Sequence, residues 1–335
     1  MLFFRTDANS QIASGHIMRC MTIAGEILKN GEDVVFIISE DKAADILKDK
    51  FLFYLIDKKN EFEEINRLIR ENNCTKIFID LYSYDAEKMK LLPSDIHIIT
   101  FDDMFLEKYP VDMLINYNMY YQKFNYKERY NDENVRLLLG PKYIPIRDEF
   151  DGKYGDKQSA KQNVMLVCGG GDIEHSLLSL IGICEDNKYI NSCVFHIVVG
   201  NLSSDYMKIK HISNRYENIF VYKSMDNIAS FMENMNIVIS AASTMLYECC
   251  IMKIPTIYFC VADNQLYDAE CFSKDRMMLY AGDIRKKRKV VVDTVKEQLD
   301  MLLIDEHLRA EMKSKMSGLI DNKGKERIAL EILRL

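Results

Sequence analysis

The sequence predicts an α/β protein of two domains, each a parallel sheet flanked by helices in the Rossmann manner. Short apolar runs rich in β-branched and aromatic residues alternate with longer stretches of helical period, which is the pattern of parallel βαβ units. The chain has 335 residues, whereas single domains usually contain roughly 100–150. A polar segment with glycines and prolines divides the alternating series near the middle of the chain.

We therefore predict an N-terminal domain over residues 1–148, a linker over 149–163, a C-terminal domain over 164–320 and a C-terminal helix over 321–335. In the first domain the predicted strands are Leu2–Thr6, Asp33–Ser39, Phe51–Ile56, Lys76–Asp80, Ile96–Phe101 and Met113–Asn116. In the second they are Val164–Cys168, Val194–Val199, Ile219–Tyr222, Ile237–Ser240 and Pro255–Cys260, with two further strands at Met277–Tyr280 and Val290–Val292. The helices are predicted between these strands, the first from His16 to Asn30.

This architecture also predicts where a ligand binds. Ligands of open parallel sheets bind at the carboxyl ends of the strands, so two such sheets are expected to face a central cleft that holds the substrate. The chemistry is therefore expected on the loops that lead from a strand into the following helix.

Composition excludes several classes of function. The apolar share of 48% and the charged share of 28% are those of an ordinary globular enzyme. A net charge of −7 argues against nucleic acid as a partner. The basic run Arg285–Lys289 is interpreted as a solvated turn, with a docking site for anionic lipid or polymer as the alternative.

Cysteine and histidine usage indicates a cytoplasmic protein without a metal. The nine cysteines form no C-x-x-C pair and the six histidines are scattered singly, so we predict reduced thiols, no metal site and no cofactor. The sequence has no uninterrupted apolar stretch of about 18 residues, so stable membrane insertion is not expected. Because no exposed apolar heptad repeat is visible, we expect a monomer.

The first loop of interest follows the first predicted strand and ends in Ser14, Gly15 and His16. Its small residues let the backbone pass close to a ligand. His16 would lie at a helix N-terminus, where the helix dipole disfavours the cationic imidazole and leaves it able to accept a proton. The alternative is a histidine that caps or packs without a catalytic role.

Two loops in the second half are suited to phosphate groups. Gly169, Gly170 and Gly171 follow a strand and expose backbone N–H groups, although neither a Walker loop nor a complete G-x-G-x-x-G fingerprint is present. The segment around Ser243 and Thr244 opens a helix with two hydroxyls, and Glu248 follows one turn later. A glutamate there can accept two hydrogen bonds from a ribose, but an N-capped helix with a solvated glutamate would look the same.

Taken together, these segments resemble the UDP-2,4-diacetamido-2,4,6-trideoxy-β-L-altropyranose hydrolases of pseudaminic acid biosynthesis and related spore-coat polysaccharide proteins. That family carries a loop of the type F-R-x-D-x-x-x-Q-I-G-x-G-H-x-x-R, which matches Phe4 to Arg19 with Ala13 in place of the first glycine. Further matches are Ile79–Tyr82, Phe101–Asp103, Leu114–Asn118, Ile146–Phe150, Gly169–Asp172, Ser240–Ser243 with Glu248, and Asp263–Gln265. Gly171 stands where many members have threonine, which removes one phosphate-binding hydroxyl.

The resemblance implies the GT-B fold of glycosyltransferases, similar to the lipid-II-forming N-acetylglucosaminyltransferase of peptidoglycan synthesis. It implies that the second domain holds UDP and that a base on the first domain acts at the sugar. The implied catalytic base is His16; the implied substrate-binding residues are Arg5, Asp7, Gly15, Tyr82, Asn118, Asn264 and Gln265; the implied UDP-binding residues are Gly169, Gly170, Gly171, Ser243, Thr244 and Glu248.

The expected reaction is inverting hydrolysis of a UDP-sugar, with water activated by His16 attacking the anomeric carbon C1. UDP is a good leaving group that helix N-termini can stabilise without a metal. The alternatives are a glycosyltransferase of the same fold and a nucleotide-sugar-binding protein without turnover. A turnover assay without an acceptor separates the three.

Overall fold

A computed structural model of the chain describes residues 1–9, 14–131, 134–150, 152, 161–172, 174–225 and 227–335, with the side chain of residue 275 left out. The described residues form two compact units, one of residues 1–146 with 322–335 and one of residues 147–321. Ala13, where the first loop departs from the family pattern, and most of the predicted linker lie outside the described residues.

The first unit contains the following elements. Up to the unit boundary they are β1 (Leu2–Thr6), α1 (Gly15–Lys29), β2 (Val34–Ile38), α2 (Asp41–Leu47), β3 (Phe53–Leu55), α3 (Glu61–Glu71), β4 (Lys76–Asp80), α4 (Ala86–Met89), β5 (His97–Phe101), β6 (Met113–Asn116), α5 (Tyr126–Arg129) and β7 (Arg136–Leu139).

The second unit begins with β8 (Gln162–Val167), α6 (Ser176–Cys184), β9 (Cys193–Val199), α7 (Tyr206–Ser213), β10 (Ile219–Lys223), α8 (Ile228–Met232) and β11 (Ile237–Ala241). It continues with α9 (Met245–Met252), β12 (Thr256–Cys260), α10 (Leu266–Ser273), β13 (Leu279–Asp283), α11 (Ile284–Ile304) and α12 (Glu306–Met316). The last helix, α13 (Gly324–Leu333), returns to the first unit.

Both sheets are parallel and reverse their direction of growth once. Among the described residues the first sheet has the order β3-β2-β1-β4-β5-β6-β7 and the second β10-β9-β8-β11-β12-β13. The reversal falls between β1 and β4 in one unit and between β8 and β11 in the other. Because two neighbouring strands send their helices to opposite faces there, the carboxyl ends at these two places open into crevices suited to ligands.

Aromatic residues in register hold the centre of the first sheet. Phe4 on β1 pairs with Phe36 on β2 and Phe78 on β4. The three rings stack with centroids 5.2 and 5.1 Å apart, and all three residues are fully buried. This packing fixes the position of β1 relative to β4, and so the spacing of the loops that follow them.

The sequence prediction was wrong about the segment after β13. The basic run Arg285–Lys289 does not form a turn and Val290–Val292 does not form a strand, because both lie in α11. Asp283 caps this helix by accepting from the N–H of Arg285 at 3.1 Å. A run of β-branched valines is typical of a strand. However, the buried valines Val291 and Val295 are four residues apart, which is the helical period. Lys287 has non-helical backbone angles, so the helix kinks within the basic run.

The sequence reading also missed β7, which pairs with β6 at the edge of the first sheet. Strand β13 begins two residues later than predicted and ends at Asp283. No helix in the described part of the chain is long and apolar enough to cross a membrane.

The C-terminal helix α13 packs closely on the end of the first unit. A Cβ built on Gly324, its first residue, would lie 2.1 Å from the carbonyl oxygen of Ile144. Arg136 on β7 also donates to the carbonyl of Glu331 at 2.8 Å. Only glycine allows the backbone of α13 to approach this closely.

We predict that Gly324→Ala destabilises the first unit by about 1–3 kcal/mol, since the new methyl group meets backbone that cannot move aside cheaply. Gly25→Ala is the matched control, because Gly25 lies inside α1 with open space around its Cβ position. Alanine there is expected to be neutral or to stabilise by up to about 1 kcal/mol. Urea denaturation followed by circular dichroism measures both, and equal midpoints for Gly324→Ala and the wild type would show that the contact relaxes freely.

Candidate active site

His16 is the second residue of α1 and lies at the reversal point of the first sheet. Its Nδ1 is 2.7 Å from Oδ1 of Asp80, the last residue of β4. The ring of Tyr82 packs edge to face against the imidazole, with centroids 4.7 Å apart. Within the described residues, Nε2 of His16 makes no hydrogen bond, and 12% of the side chain is exposed. An ionised Asp80 accepts the Nδ1 proton and so leaves Nε2 as a proton acceptor.

Arg19 holds Asp80 in place. It lies one turn after His16 on α1, so both side chains project from the same helix face. Its Nε donates to Oδ2 of Asp80 at 2.7 Å and its Nη2 to Oδ1 at 2.6 Å. Burial alone would raise the pKa of Asp80, but the charges of Arg19 and His16 and their hydrogen bonds lower it well below its usual value. Asp80 therefore stays ionised and can orient His16.

A second buried carboxylate, that of Asp103, also accepts hydrogen bonds from the guanidinium of Arg19. The guanidinium donates to its Oδ2 at 3.0 Å and its Oδ1 at 3.3 Å. Burial would raise the pKa of Asp103, but the charge and hydrogen bonds of Arg19 lower it. The face of the guanidinium packs 4.2 Å from the ring centroid of Phe101. One arginine thus pairs with two carboxylates away from solvent.

Two of the predicted sugar-binding residues join this network through Asp103. The hydroxyl of Tyr82 donates to Oδ2 at 3.0 Å, and Nδ2 of Asn118 donates to Oδ1 at 3.0 Å. Burial and the nearby charge of Asp103 raise the pKa of the Tyr82 hydroxyl. Tyr82 is nevertheless 57% exposed as a residue, and its ring packs beside His16.

Sequence reasoning missed Arg19, Asp80 and Asp103 as site residues. The family match contained all three, but no role was assigned to them. Their positions carry a readable signal: each aspartate stands at or just after the carboxyl end of a buried strand, where polar residues of a parallel sheet face a ligand. Arg19 is buried on the sheet-facing side of an amphipathic helix, which is costly unless it is paired.

Arg5, Asp7 and Gly15 lie near the loop that leads from β1 to His16. Arg5 and Asp7 make hydrogen bonds to each other and to residues outside this loop. Arg5 is 2% exposed and donates to Asp7 at 2.6 Å and to Glu61 at 2.7 Å. Asp7 accepts from the N–H of Ser39 at 2.8 Å. These contacts tie the loop after β1 to neighbouring loops. No described atom outside the neighbouring residues and the backbone of α1 lies within 4 Å of a Cβ built on Gly15.

In the second unit, the glycine loop follows β8. Carbonyl oxygens of Gly169 and Gly170 would lie 2.3 and 2.4 Å from a Cβ on Gly200, so they point at the loop after β9. Leu202 donates its N–H to the Gly170 oxygen at 3.0 Å. In a trans peptide the N–H points opposite to the carbonyl, so the N–H groups of Gly170 and Gly171 face the other way. Neither has a hydrogen-bond acceptor among the described residues.

The nearby N-terminus of α6 has N–H groups that are already hydrogen-bonded and so are not available to a ligand. Asp172 accepts from the N–H groups of Ser176 and Leu177, each at 2.8 Å. This side chain therefore occupies the positive end of the helix that a phosphate would otherwise use. Any anion at this loop must bind to the glycine amides.

The second sheet reverses its direction of growth between β8 and β11, so the loop after β11 lies beside the glycine loop after β8. Ser243 and Thr244 precede α9 and are partly exposed. Within the described residues the N–H groups of both lack an acceptor, whereas the Ser243 hydroxyl accepts from the N–H of Met245 at 3.3 Å. Two free N–H groups at a helix N-terminus are a suitable place for phosphate oxygens.

Glu248 lies one turn into α9 and is buried rather than solvated. Its Oε1 accepts from Arg147 at 2.9 and 3.3 Å, and Arg147 also pairs with Glu149 at 2.7 Å. Burial raises the pKa of Glu248, and the charge and hydrogen bonds of Arg147 oppose that rise. Arg147 is a site residue that the sequence reading did not single out, although it lies in one of the matched segments.

Asn264 and Gln265 belong to the second unit, in a short turn of helix after β12. The side chain of Gln265 accepts from the N–H of Val261 at 2.8 Å, so it supports its own loop. The predicted site residues thus form a group in each unit: His16, Gly15, Tyr82 and Asn118 in the first, and the glycine loop, Ser243, Thr244, Glu248, Asn264 and Gln265 in the second. The described residues contain no cluster of three or more side chains suited to a metal ion.

Comparison with known proteins identifies relatives of this chain. Residues 164–329 match the glycosyltransferase family 28 C-terminal domain. The chain is 27% identical over 275 residues to the UDP-2,4-diacetamido-2,4,6-trideoxy-beta-L-altropyranose hydrolase of Campylobacter jejuni, covering 82% of this chain and 96% of that protein. It is 23% identical to the uncharacterized protein MJ1062 of Methanocaldococcus jannaschii, over 80% of this chain and 56% of that protein.

Solved structures show the same fold. MurG of Acinetobacter baumannii superposes with a TM-score of 0.68 at 12% identity, over 100% of this chain and 99% of that one. The spinosyn rhamnosyltransferase SpnG superposes with a TM-score of 0.69 at 11% identity, over 99% and 100%. The fold is therefore GT-B, and the predicted resemblance to the UDP-2,4-diacetamido-2,4,6-trideoxy-β-L-altropyranose hydrolase family is confirmed.

Proposed function

We propose that this protein is a nucleotide-sugar enzyme that hydrolyses a UDP-linked 2,4-diacetamido-2,4,6-trideoxyhexose to UDP and the free sugar, with inversion at C1. The observation that carries the proposal is the His16–Asp80 pair, with Nδ1 of the imidazole held at 2.7 Å and Nε2 unpaired within the described residues. The similarity to the Campylobacter jejuni hydrolase over 82% of the chain supports the substrate class.

In the proposed step, Nε2 of His16 takes a proton from water as the water oxygen bonds to C1. The bond between C1 and the phosphate oxygen breaks, and its electron pair leaves with UDP. The resulting imidazolium is stabilised by Asp80, whose lowered pKa keeps it anionic. Tyr82 and Asn118 are proposed to contact the sugar, because both are anchored to Asp103 beside His16.

The nucleotide is proposed to bind the second unit. The N–H groups of Gly170, Gly171, Ser243 and Thr244, which have no acceptor in the described part of the chain, suit the diphosphate and would stabilise the charge that develops on it. Glu248 is proposed to accept from the ribose hydroxyls, with Arg147 keeping its carboxylate oriented. Asn264 and Gln265 follow the adjacent strand β12 and are proposed to complete the sugar subsite.

A glycosyltransferase is the second candidate, since the family 28 match and the GT-B neighbours include sugar transferases. The same histidine would then activate a sugar hydroxyl instead of water. Turnover of purified protein with the UDP-sugar and no acceptor separates the two functions, because only a hydrolase releases UDP stoichiometrically with free sugar. A mass-spectrometric screen of UDP-sugars identifies the substrate.

We predict that His16→Asn and Asp80→Asn both lower kcat while leaving UDP affinity unchanged. Loss of the base is expected to cost about 10²–10⁴-fold, and loss of its orienting carboxylate somewhat less. Steady-state kinetics and calorimetric titration with UDP measure the two effects. Asp112→Asn is the matched control, because Asp112 pairs with His97 at an exposed position in the same unit. Near wild-type turnover in His16→Asn would assign the base to another residue.

We predict that Glu248→Gln weakens UDP binding by about 1.5–3 kcal/mol, the usual contribution of a hydrogen bond to a charged group. Calorimetry with UDP provides the measurement. Glu149→Gln serves as the control, because it removes the other carboxylate that pairs with Arg147. Equal UDP affinity in Glu248→Gln and Glu149→Gln would remove Glu248 from the ribose.

The bond that breaks gives a further prediction. Hydrolysis in ¹⁸O-labelled water is expected to leave UDP unlabelled, because water attacks C1 and the phosphate oxygen departs with the nucleotide. Mass spectrometry of the UDP is decisive, since the anomeric hydroxyl of the free sugar exchanges with solvent. Label in the terminal phosphate, or release of UMP with a sugar phosphate, would mean attack at phosphorus and would contradict the role of His16.

A further inference from the structure

The side-chain amide of Asn118 has both of its N–H groups committed to partners inside the first unit. Its Nδ2 donates to Oδ1 of Asp103 and to Oδ1 of Asn116, each at 3.0 Å. Its backbone N–H donates to the same oxygen of Asn116 at 2.9 Å. Asn118 follows the last residue of β6 by two positions and is 5% exposed. The amide is therefore held at the carboxyl edge of the sheet.

The partners of Asn116 decide which end of its own amide is the oxygen. Asn116 is fully buried. The backbone N–H of Asn118 can only donate, so the oxygen of Asn116 must face it. On its other side, Nδ2 of Asn116 donates to the Tyr126 hydroxyl at 2.9 Å, and that hydroxyl donates its hydrogen to the carbonyl of Asp102 at 3.0 Å. Every group in this series therefore has a fixed role as donor or acceptor.

Asp103 fixes the amide of Asn118 in the same orientation. Burial would raise the pKa of Asp103, but the charge and hydrogen bonds of Arg19 lower it. The carboxylate is therefore ionised and can only accept. A flipped amide would place Oδ1 of Asn118 against two oxygens, so both hydrogens of Nδ2 must point into the protein.

The group left for a ligand is the oxygen Oδ1 of Asn118. Asn118 is the N-cap of the short helical turn Met119–Lys123, where an asparagine oxygen usually accepts from an N–H group of the turn. Here the side chain makes no such hydrogen bond. No donor among the described residues reaches Oδ1, and the atom is not closed off from solvent. It is an acceptor and cannot donate.

This oxygen belongs to the network that holds His16. Asp103 accepts from Asn118 and also from Tyr82, whose ring packs against the imidazole. Arg19 donates to Asp103 at 3.0 Å, and its Nη2 lies 3.4 Å from Nδ1 of His16. Two side chains thus connect Asn118 with His16 by either route.

We propose that Asn118 selects the substrate by accepting a hydrogen bond from an N–H or O–H group of the sugar, so that the site disfavours a substituent that can only accept. This inference rests on the proposed function and deepens it. The diacetamido sugar offers three such donors, which are the acetamido N–H groups at C2 and C4 and the hydroxyl at C3. An acceptor-only group at the contacted position would leave two electronegative atoms facing each other without a hydrogen.

The test is a cycle of enzyme and substrate changes, measured as kcat/KM for UDP release without an acceptor. Three analogues of the UDP-sugar each replace one donor, with acetoxy for the acetamido group at C2 or C4 and fluorine for the hydroxyl at C3. The intrinsic reactivity of an analogue is the same with every variant and cancels in the cycle. At one position the wild type is expected to lose roughly 10-fold more activity than Asn118→Ala loses, the effect of one hydrogen bond. At the other two positions both enzymes are expected to lose equally.

Two further variants make the outcomes distinct. Asn118→Leu repeats the cycle with a side chain of similar size, and circular dichroism checks that each variant is folded. Asn30→Ala removes an exposed asparagine at the end of α1 and is expected to match the wild type with all four substrates. Equal losses in the wild type and the Asn118 variants at all three positions would overturn the assignment while the proposed hydrolysis stands. If the wild type releases no UDP from the parent sugar, the proposed function fails and this assignment fails with it.

Discussion

The candidate site of the first unit depends on one buried cation, the guanidinium of Arg19. It bridges Asp80 and Asp103, two carboxylates that follow adjacent strands and would repel each other without it. Burying three charged groups is costly unless all their hydrogen-bonding atoms are satisfied. Arginine suits this position because its planar fork donates to both carboxylates at once, whereas a lysine ammonium offers a single point of charge.

The consequence of this network is a fixed direction for His16. With Asp80 held by two hydrogen bonds from Arg19, the carboxylate has little freedom, and the Nδ1 of His16 has one place to donate. Asp103, which Arg19 holds in the same way, accepts hydrogen bonds from Tyr82 and Asn118 and so orients both side chains. This geometry comes from packing and hydrogen bonds formed during folding, so it does not depend on a bound ligand.

In the second unit, the candidate site is shaped by the directions of backbone groups and not by a buried charge. Gly200 allows the carbonyls of Gly169 and Gly170 to come close, which turns the following N–H groups outward. Ser243 and Thr244 contribute N–H groups at the start of α9 that have no acceptor among the residues that the structure describes. Asp172 meanwhile occupies the N–H groups of α6. The unit therefore offers amide donors beside two neighbouring strands, a pattern suited to an anion.

The sequence by itself determined the architecture and predicted the loops on which the candidate site lies. Alternating strand and helix periods predicted two parallel sheets, and the strands β1, β4 and β6 begin and end at the predicted residues, because buried parallel strands are short apolar runs with clear ends. The motif ending in Gly15 and His16 identified the first loop and the family. Periodicity failed at Val290–Val292, where β-branched residues lie in a helix whose burial pattern appears only after packing.

Only the tertiary structure decided which residues act on which. Arg19, Asp80 and Asp103 are separated by up to 84 positions in the chain and meet because β1, β4 and β5 are neighbours in the sheet. The same holds for Arg147 with Glu248 and for Asn118 with Asp103. Arg5 and Asp7 have the residue types of a binding pair, yet the fold gives them internal partners. Local sequence states the chemical type of a side chain, whereas its ionisation, orientation and access to ligand depend on contacts between distant segments.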